Sequence, residues 1–157
     1  MKKALDVCCG SRAMWFNKND DRCLYLDIRK VKYENDNARG YKTLNINPDM
    51  ICDFTKLPFN NETFYHIVFD PPHLKRNGFS GEITKRYGIL QDGWEEMITK
   101  GFKECFRVLK PNGTLIFKWS EVQIPIKDVL KLTKQKPLYG HKSGKRMNTH
   151  WVCFIKD

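Results

Sequence analysis

Apolar positions along the chain fall into short runs divided by polar turns, and most of these runs are too short to be helices. Strand-like runs cover residues 3–8, 23–27, 50–52, 66–69, 114–119 and 151–155. Between the fourth and fifth runs the spacing changes. Trp94, Met97, Ile98, Phe102, Cys105, Phe106 and Leu109 recur at intervals of three and four, which predicts a helix over residues 93–109 with one buried face. Lys110, Pro111, Asn112 and Gly113 then break it, because proline cannot continue a helix and Asn-Gly favours a turn. A second amphipathic helix is predicted over 125–134, with Pro125 at its first turn and Ile126, Val129 and Leu130 on its apolar face. Residues 28–48 are polar and Asn-rich and predict an irregular excursion or a small hairpin.

Strands alternating with helices imply an α/β domain with a mainly parallel sheet, and such sheets bind ligands at the carboxyl ends of their strands. Asp27, Asp53 and Asp70 each close or follow a strand-like run, so all three are expected to converge there. A length of 157 residues suits one domain over 1–157. No apolar run approaches the ~20 residues of a membrane span, and the first residues lack a signal-peptide pattern, so a cytoplasmic protein without membrane association is expected. The six cysteines form no C-x-x-C pair, and no histidine stands at metal spacing. Neither a metal nor disulfides are expected. With 28 Lys+Arg against 18 Asp+Glu the net charge is +10, which leans toward a polyanionic partner such as nucleic acid. Nothing in the sequence fixes the oligomeric state.

The first run continues through Asp6, Cys8 and Cys9 into Gly10, Ser11 and Arg12, a strand ending in a small-residue turn. That turn is either a simple tight turn or a backbone that a cofactor approaches closely, as glycine allows. Asp27, about 20 residues beyond it, is placed to accept hydrogen bonds from ribose hydroxyls. Asp53, followed by Phe54, Leu57, Pro58 and Phe59, adds an acceptor beside apolar groups suited to an adenine ring. The sharpest signal is Asp70-Pro71-Pro72-His73 at the end of a hydrophobic strand. Two prolines fix the turn, hold the Asp70 carboxylate and leave a carbonyl free as an acceptor. Two acceptors gripping an exocyclic amine would draw its lone pair out of conjugation, and His73 would stack on the base. Phe79 and Trp119 are further stacking candidates, with core packing the stronger reading for both.

At these residues the chain resembles the class I S-adenosylmethionine-dependent methyltransferases, and among them the amino-methyltransferases with a D/N-P-P-aromatic motif. The pieces at residues 5–12, Asp27, Asp53 with 57–59, 61–73 and 107–113 occur in the family order. The resemblance implies a Rossmann-like, mostly parallel seven-stranded sheet with an antiparallel last strand at 151–155, a preceding strand near 136–140 and helices on both faces. It implies S-adenosyl-L-methionine as cofactor, with Asp6 and Gly10 beside its methionine part, Asp27 on the ribose and Asp53 near the adenine. Cys8, Arg12, Ile28, Phe54 and Asp70 join the cofactor-binding set. Asp70, Pro71, Pro72 and His73 form the catalytic set, with Asp70 and the Pro71 carbonyl holding the target amine. Lys142, Lys145 and Arg146 fall on the carboxyl-end face. With Lys75, Arg76, Lys85 and Arg86 they are the candidate phosphate contacts. Arg12 replaces a small residue of the family turn and His73 the family aromatic.

The expected function is methyl transfer to an exocyclic amine of a nucleobase in DNA or RNA, adenine N6 first, without a separate target-recognition domain. The rivals are a methyltransferase for a protein amide or small-molecule amine, and a nucleic-acid-binding module that has lost catalysis.

Overall fold

In the computed structural model, which describes residues 2–34, 43–75 and 88–157, the apolar runs assemble as strands. These are β1 (Ala4–Asp6), β2 (Cys23–Asp27), β3 (Val31–Tyr33), β4 (Leu44–Ile46), β5 (Met50–Ile51), β6 (Phe64–Phe69), β7 (Leu109–Ser120), β8 (Tyr139–Ser143) and β9 (Thr149–Ile155). Seven of them form a sheet in the order β5-β2-β1-β6-β7-β9-β8. The five from β5 to β7 are parallel, and β9 runs antiparallel to both β7 and β8. The expected mostly parallel, Rossmann-like sheet with an antiparallel last strand is therefore present. The strand order reverses at β1, which puts the ligand crevice beyond the carboxyl ends of β1 and β6. β3 and β4 pair as a separate antiparallel hairpin, the small hairpin expected within 28–48.

Alternation along the strands sends Leu5, Leu26, Ile67, Phe69, Phe117, Trp119 and Phe154 to one face, where all are buried. Against them lie α1 (Trp94–Val108) and α2 (Ile126–Leu130), through Ile98, Phe102, Cys105, Phe106 and Val129. Phe102 is central, with its ring 5.4 Å from Phe69, 4.8 Å from Phe117 and 6.0 Å from Phe154. On the opposite face Cys9, Cys23 and Tyr25 form a smaller cluster with Ala4 and Trp15. The Trp15 ring meets Tyr25 edge-on at 5.0 Å, so among the described residues this face is covered at β1 and β2 by the turns of 7–22 rather than by a helix.

Local differences from the predicted elements have local causes. Residues 110–113 lie inside β7 rather than in a turn before it. The ladder with β6 slips there, from Phe64 opposite Leu109 to His66 opposite Thr114, and Asn112 takes a positive φ of 62° at the irregularity. Asn-Gly thus serves a bulge. The second helix spans only Ile126–Leu130, with Pro125 as its cap, and β8 starts at Tyr139, three residues beyond the start of the predicted 136–140. Among the described residues no helix is long and apolar enough to cross a membrane.

Candidate active site

Strand register brings the acids together. Asp6 on β1 stands level with Tyr25 and Val68, so Asp27 and Asp70 follow two positions later on the flanking strands, on the same side of the sheet. The turn after β1 fills the space between them. Gly10 has φ 51°, and its N–H donates to Asp27 Oδ2 at 2.9 Å. A Cβ at Gly10 would meet nothing within 4 Å among the described residues, so this backbone borders open space. Asp27 is 2% exposed, and its carboxylate also accepts from the Arg29 N–H at 2.9 Å and from the Arg29 guanidinium at 3.0 Å.

Asp6 is 1% exposed and accepts from Trp15 Nε1 at 2.8 Å and from the Cys8 N–H at 3.3 Å. Burial raises its carboxyl to about 7, against the lowering effect of those two hydrogen bonds. Burial, followed by the charges of Asp6 and Asp70, pushes the Cys8 thiol well above its ordinary value. Asp6 is thus a support beneath the turn, with Trp15 as its immediate partner.

Asp70, directly after β6, faces a hollow of about 130 Å³ walled by Cys8, Gly10, Ser11, Met14, Pro71 and His73, with Arg29 and Lys118 also on the lining. Asp70 Oδ2 accepts from Lys118 Nζ at 2.6 Å, while Oδ1 is buried with no hydrogen-bond partner among the described residues. Pro71 is buried, and its carbonyl lies 3.3 Å from His73 Nδ1. Burial holds the His73 imidazole below its ordinary value, the main effect on it, so the ring is largely neutral near pH 7. The ring also meets Trp119 edge-on at 5.9 Å. A wider groove of about 400 Å³ lies across the same turn, bordered by Gly10, Ser11 and Ala13 on one side and Thr43, Asn45 and Asn47 on the other.

Several predicted residues stand elsewhere. Arg12 keeps the turn's positive φ, at 56°, but its guanidinium binds the Lys18 and Asn47 carbonyls at 2.7 and 2.8 Å and Asp49 at 2.9 Å, and lies 3.9 Å above the Tyr25 ring. It pins the turn and lines the wider groove, and is absent from the lining of the Asp70 hollow. Asp53 is exposed and closes a local turn by accepting from the Thr55 N–H and hydroxyl, both at 2.8 Å. Phe54 is half-buried against Phe69, 5.2 Å away, and Ile28 is exposed. Trp119 is fully buried and donates to the Ile124 carbonyl, which rules it out as a stacking partner. Lys75 is exposed and reaches the Trp94 ring. Lys142 pairs with Glu121 at 3.3 Å, and Lys145 and Arg146 are exposed in the β8–β9 turn, near the carboxyl end of β7. Arg76, Phe79, Lys85 and Arg86 lie outside the described residues.

Three participants escaped the sequence reading. Lys118 alternates with core-facing Phe117 and Trp119, which aims it at the opposite face where Asp70 sits; that alternation was a usable signal. Arg29 stands two residues beyond Asp27, a spacing typical of local carboxylate bonding. Trp15 gave no signal, because only the folded turn carries it to Asp6.

The arrangement of strands matches solved structures closely enough to settle the architecture. A methyltransferase from Methanosarcina mazei that depends on S-adenosylmethionine superposes with a TM-score of 0.58 at 14% identity, over 98% of this chain and 92% of that one. The N-methyltransferase NodS from Bradyrhizobium japonicum gives 0.58 at 13%, over 99% and 85%. A TehB-like methyltransferase from Corynebacterium glutamicum gives 0.59 at 12%, over 99% and 80%. The fold is that of the S-adenosylmethionine-dependent methyltransferases. No protein-family model matches the sequence, and no curated protein matches it.

Proposed function

We propose that this protein is an S-adenosylmethionine-dependent methyltransferase that modifies an exocyclic amine of a nucleobase, with adenine N6 the first choice. The observation that carries the reading is the hollow shared by the Gly10 turn and Asp70-Pro71-Pro72-His73 at the reversal point of the sheet. The residues suit the cofactor. Gly10 leaves open space where a side chain would stand, Asp27 lies beside that turn for the ribose, and an acceptor on Asp70 is buried without a partner among the described residues. The hollow at Asp70 is small beside ordinary ligand pockets of ~300–1,000 Å³. It suits the reacting end of the cofactor, with the remainder reaching past Asp27.

When bound, the cofactor supplies a methyl group already activated on a sulfonium. Asp70 Oδ1 and the Pro71 carbonyl take the two hydrogens of the amine and orient its lone pair, which is alignment more than acid-base chemistry. Asp70 Oδ1 and the Pro71 carbonyl would hold the nitrogen toward the methyl that the bound cofactor would supply, and the proton released as nitrogen gains carbon would leave along its hydrogen bond to Asp70 Oδ1 and on to water. His73 would stay neutral and serve as an apolar wall. Lys75, Lys145 and Arg146, with the +10 charge, are the phosphate-contacting groups in this reading. DNA and RNA remain equal acceptors.

One observation favours a second reading. Asp27 is paired with Arg29 and Asp70 with Lys118, as they would be in a nucleic-acid-binding module that no longer uses its acids. Transfer of labelled methyl from S-adenosylmethionine to separate pools of DNA, RNA and protein, with nucleoside analysis, distinguishes the two. Label in N6-methyladenine that disappears in Asp70→Ala is expected. Absence of transfer and of cofactor binding, with firm nucleic-acid binding, would favour the module.

A further inference from the structure

Lys118 is built into the hollow more firmly than a surface lysine. It projects from β7 on the face opposite Phe117 and Trp119, and its side chain is 20% exposed. Nζ stands 2.6 Å from Asp70 Oδ2 and 5.4 Å from the ring centroid of Trp151, the residue opposite it on β9. Trp151 is in turn held by its Nε1–H donating to Ser143 Oγ at 2.9 Å. The ammonium therefore has a carboxylate on one side and a fixed aromatic ring on another, which together restrict where it can go.

This bracing decides what Asp70 offers to a ligand. Oδ2 is taken, and Oδ1 is left as a single buried acceptor. The carboxylate's charge is also offset by a cation on the same lining. An uncompensated carboxylate in a small hollow would draw in any cation, including a protonated aliphatic amine. Such an amine has no lone pair and cannot accept a methyl group. With Lys118 in place the pair is neutral, so the hollow no longer draws in an aliphatic ammonium, while a neutral conjugated amine can still give one N–H to Oδ1.

We infer that Lys118 is a positioning residue that cancels the charge of Asp70 in the hollow and so selects neutral aromatic amines over aliphatic ammonium groups. The inference rests on the methyltransferase reading above and narrows its acceptor class.

The test compares a cationic and a neutral ligand of nearly the same shape. Calorimetry would measure binding of S-adenosylmethionine and S-adenosylhomocysteine to wild type, Lys118→Met, Lys118→Gln and Lys118→Arg, with folding checked by circular dichroism. The affinity ratio of the cationic to the neutral ligand is expected to rise roughly tenfold in the Met and Gln variants, from the unmasked charge, and to stay at the wild-type value with Arg. Ethylammonium, added as a competitor at fixed ionic strength, should displace the neutral S-adenosylhomocysteine more readily from the Met and Gln variants than from wild type. An unchanged ratio in folded Lys118→Gln, or unchanged competition, overturns the role of Lys118 alone. Failure of wild type to bind either adenosyl ligand overturns the methyltransferase reading, and the inference falls with it.

Discussion

Replacing Asp6 with asparagine should change the pH dependence of stability in one direction only. The Asp6 carboxyl is raised by burial from 3.8 to about 7 in the folded chain. Between those values the folded protein holds a proton that the unfolded chain has lost. Stability from this group is therefore complete below about pH 4, falls as pH rises, and is fully lost above about 7. Each pH unit in that window is worth ~1.4 kcal/mol, so the whole loss is at most about 4 kcal/mol. The amide of the Asp6→Asn variant would keep an oxygen for the Trp15 Nε1–H and would not titrate. Urea unfolding of both proteins at a series of pH values from about 4 to about 8 isolates the effect as a difference curve. The stability of Asp6→Asn relative to wild type should climb by roughly 2–4 kcal/mol between about pH 4 and about pH 7 and then level off. A difference that is flat with pH, or that grows toward acid, would refute the claim that Asp6 is held protonated by burial.

Arg12→Ala should cost about 2–4 kcal/mol in urea unfolding through its lost hydrogen bonds, and Arg12→Gly about 1 kcal/mol less, because the backbone there has φ 56°. An Ala variant as stable as the Gly variant would contradict this. In α1, a Cβ at Gly101 would stand 2.6 Å from Phe69 Cζ and 2.9 Å from the Phe54 ring, so Gly101→Ala should lower the unfolding midpoint by an overpacking cost of about 1–3 kcal/mol. A gain, as helix propensity alone predicts, would show that the two rings move freely. Arg29→Ala leaves Asp27 without its guanidinium partner, and calorimetry should then find S-adenosylmethionine bound several-fold more tightly; weaker binding would mean that Arg29 itself holds the cofactor.

Patterns carried by one segment were legible in the sequence. Short apolar runs located β2, β6 and β9, the three-four spacing located α1 to within one residue at each end, and the strand-end acids Asp27 and Asp70 converge as read. Features that depend on a partner far along the chain were not. Residues 110–113 look like a turn locally, yet they form the irregularity of the β6–β7 ladder, with the Asn112 N–H bonded to the Lys156 carbonyl at 2.7 Å. Arg12 looked like a ligand contact beside Gly10, but its partners arrive from Asn47 and Asp49, more than thirty residues on. Asp53 spends its carboxylate on Thr55, two residues away, which the sequence allowed but could not rank against a ligand. The same holds at Asp70, whose Lys118 partner is set by adjacency of β6 and β7.

The sheet order has a consequence for how the chain is made. Among the described residues β8 pairs with the sheet only through β9, and β9 sits between β7 and β8 although it follows both in sequence. During synthesis β8 must wait without a partner, and β7 must keep one edge unpaired, until β9 has left the ribosome and can be laid between them. The sheet is thus closed from within by its latest strand, and a nascent chain stalled before Thr149 carries two unsatisfied strand edges at once.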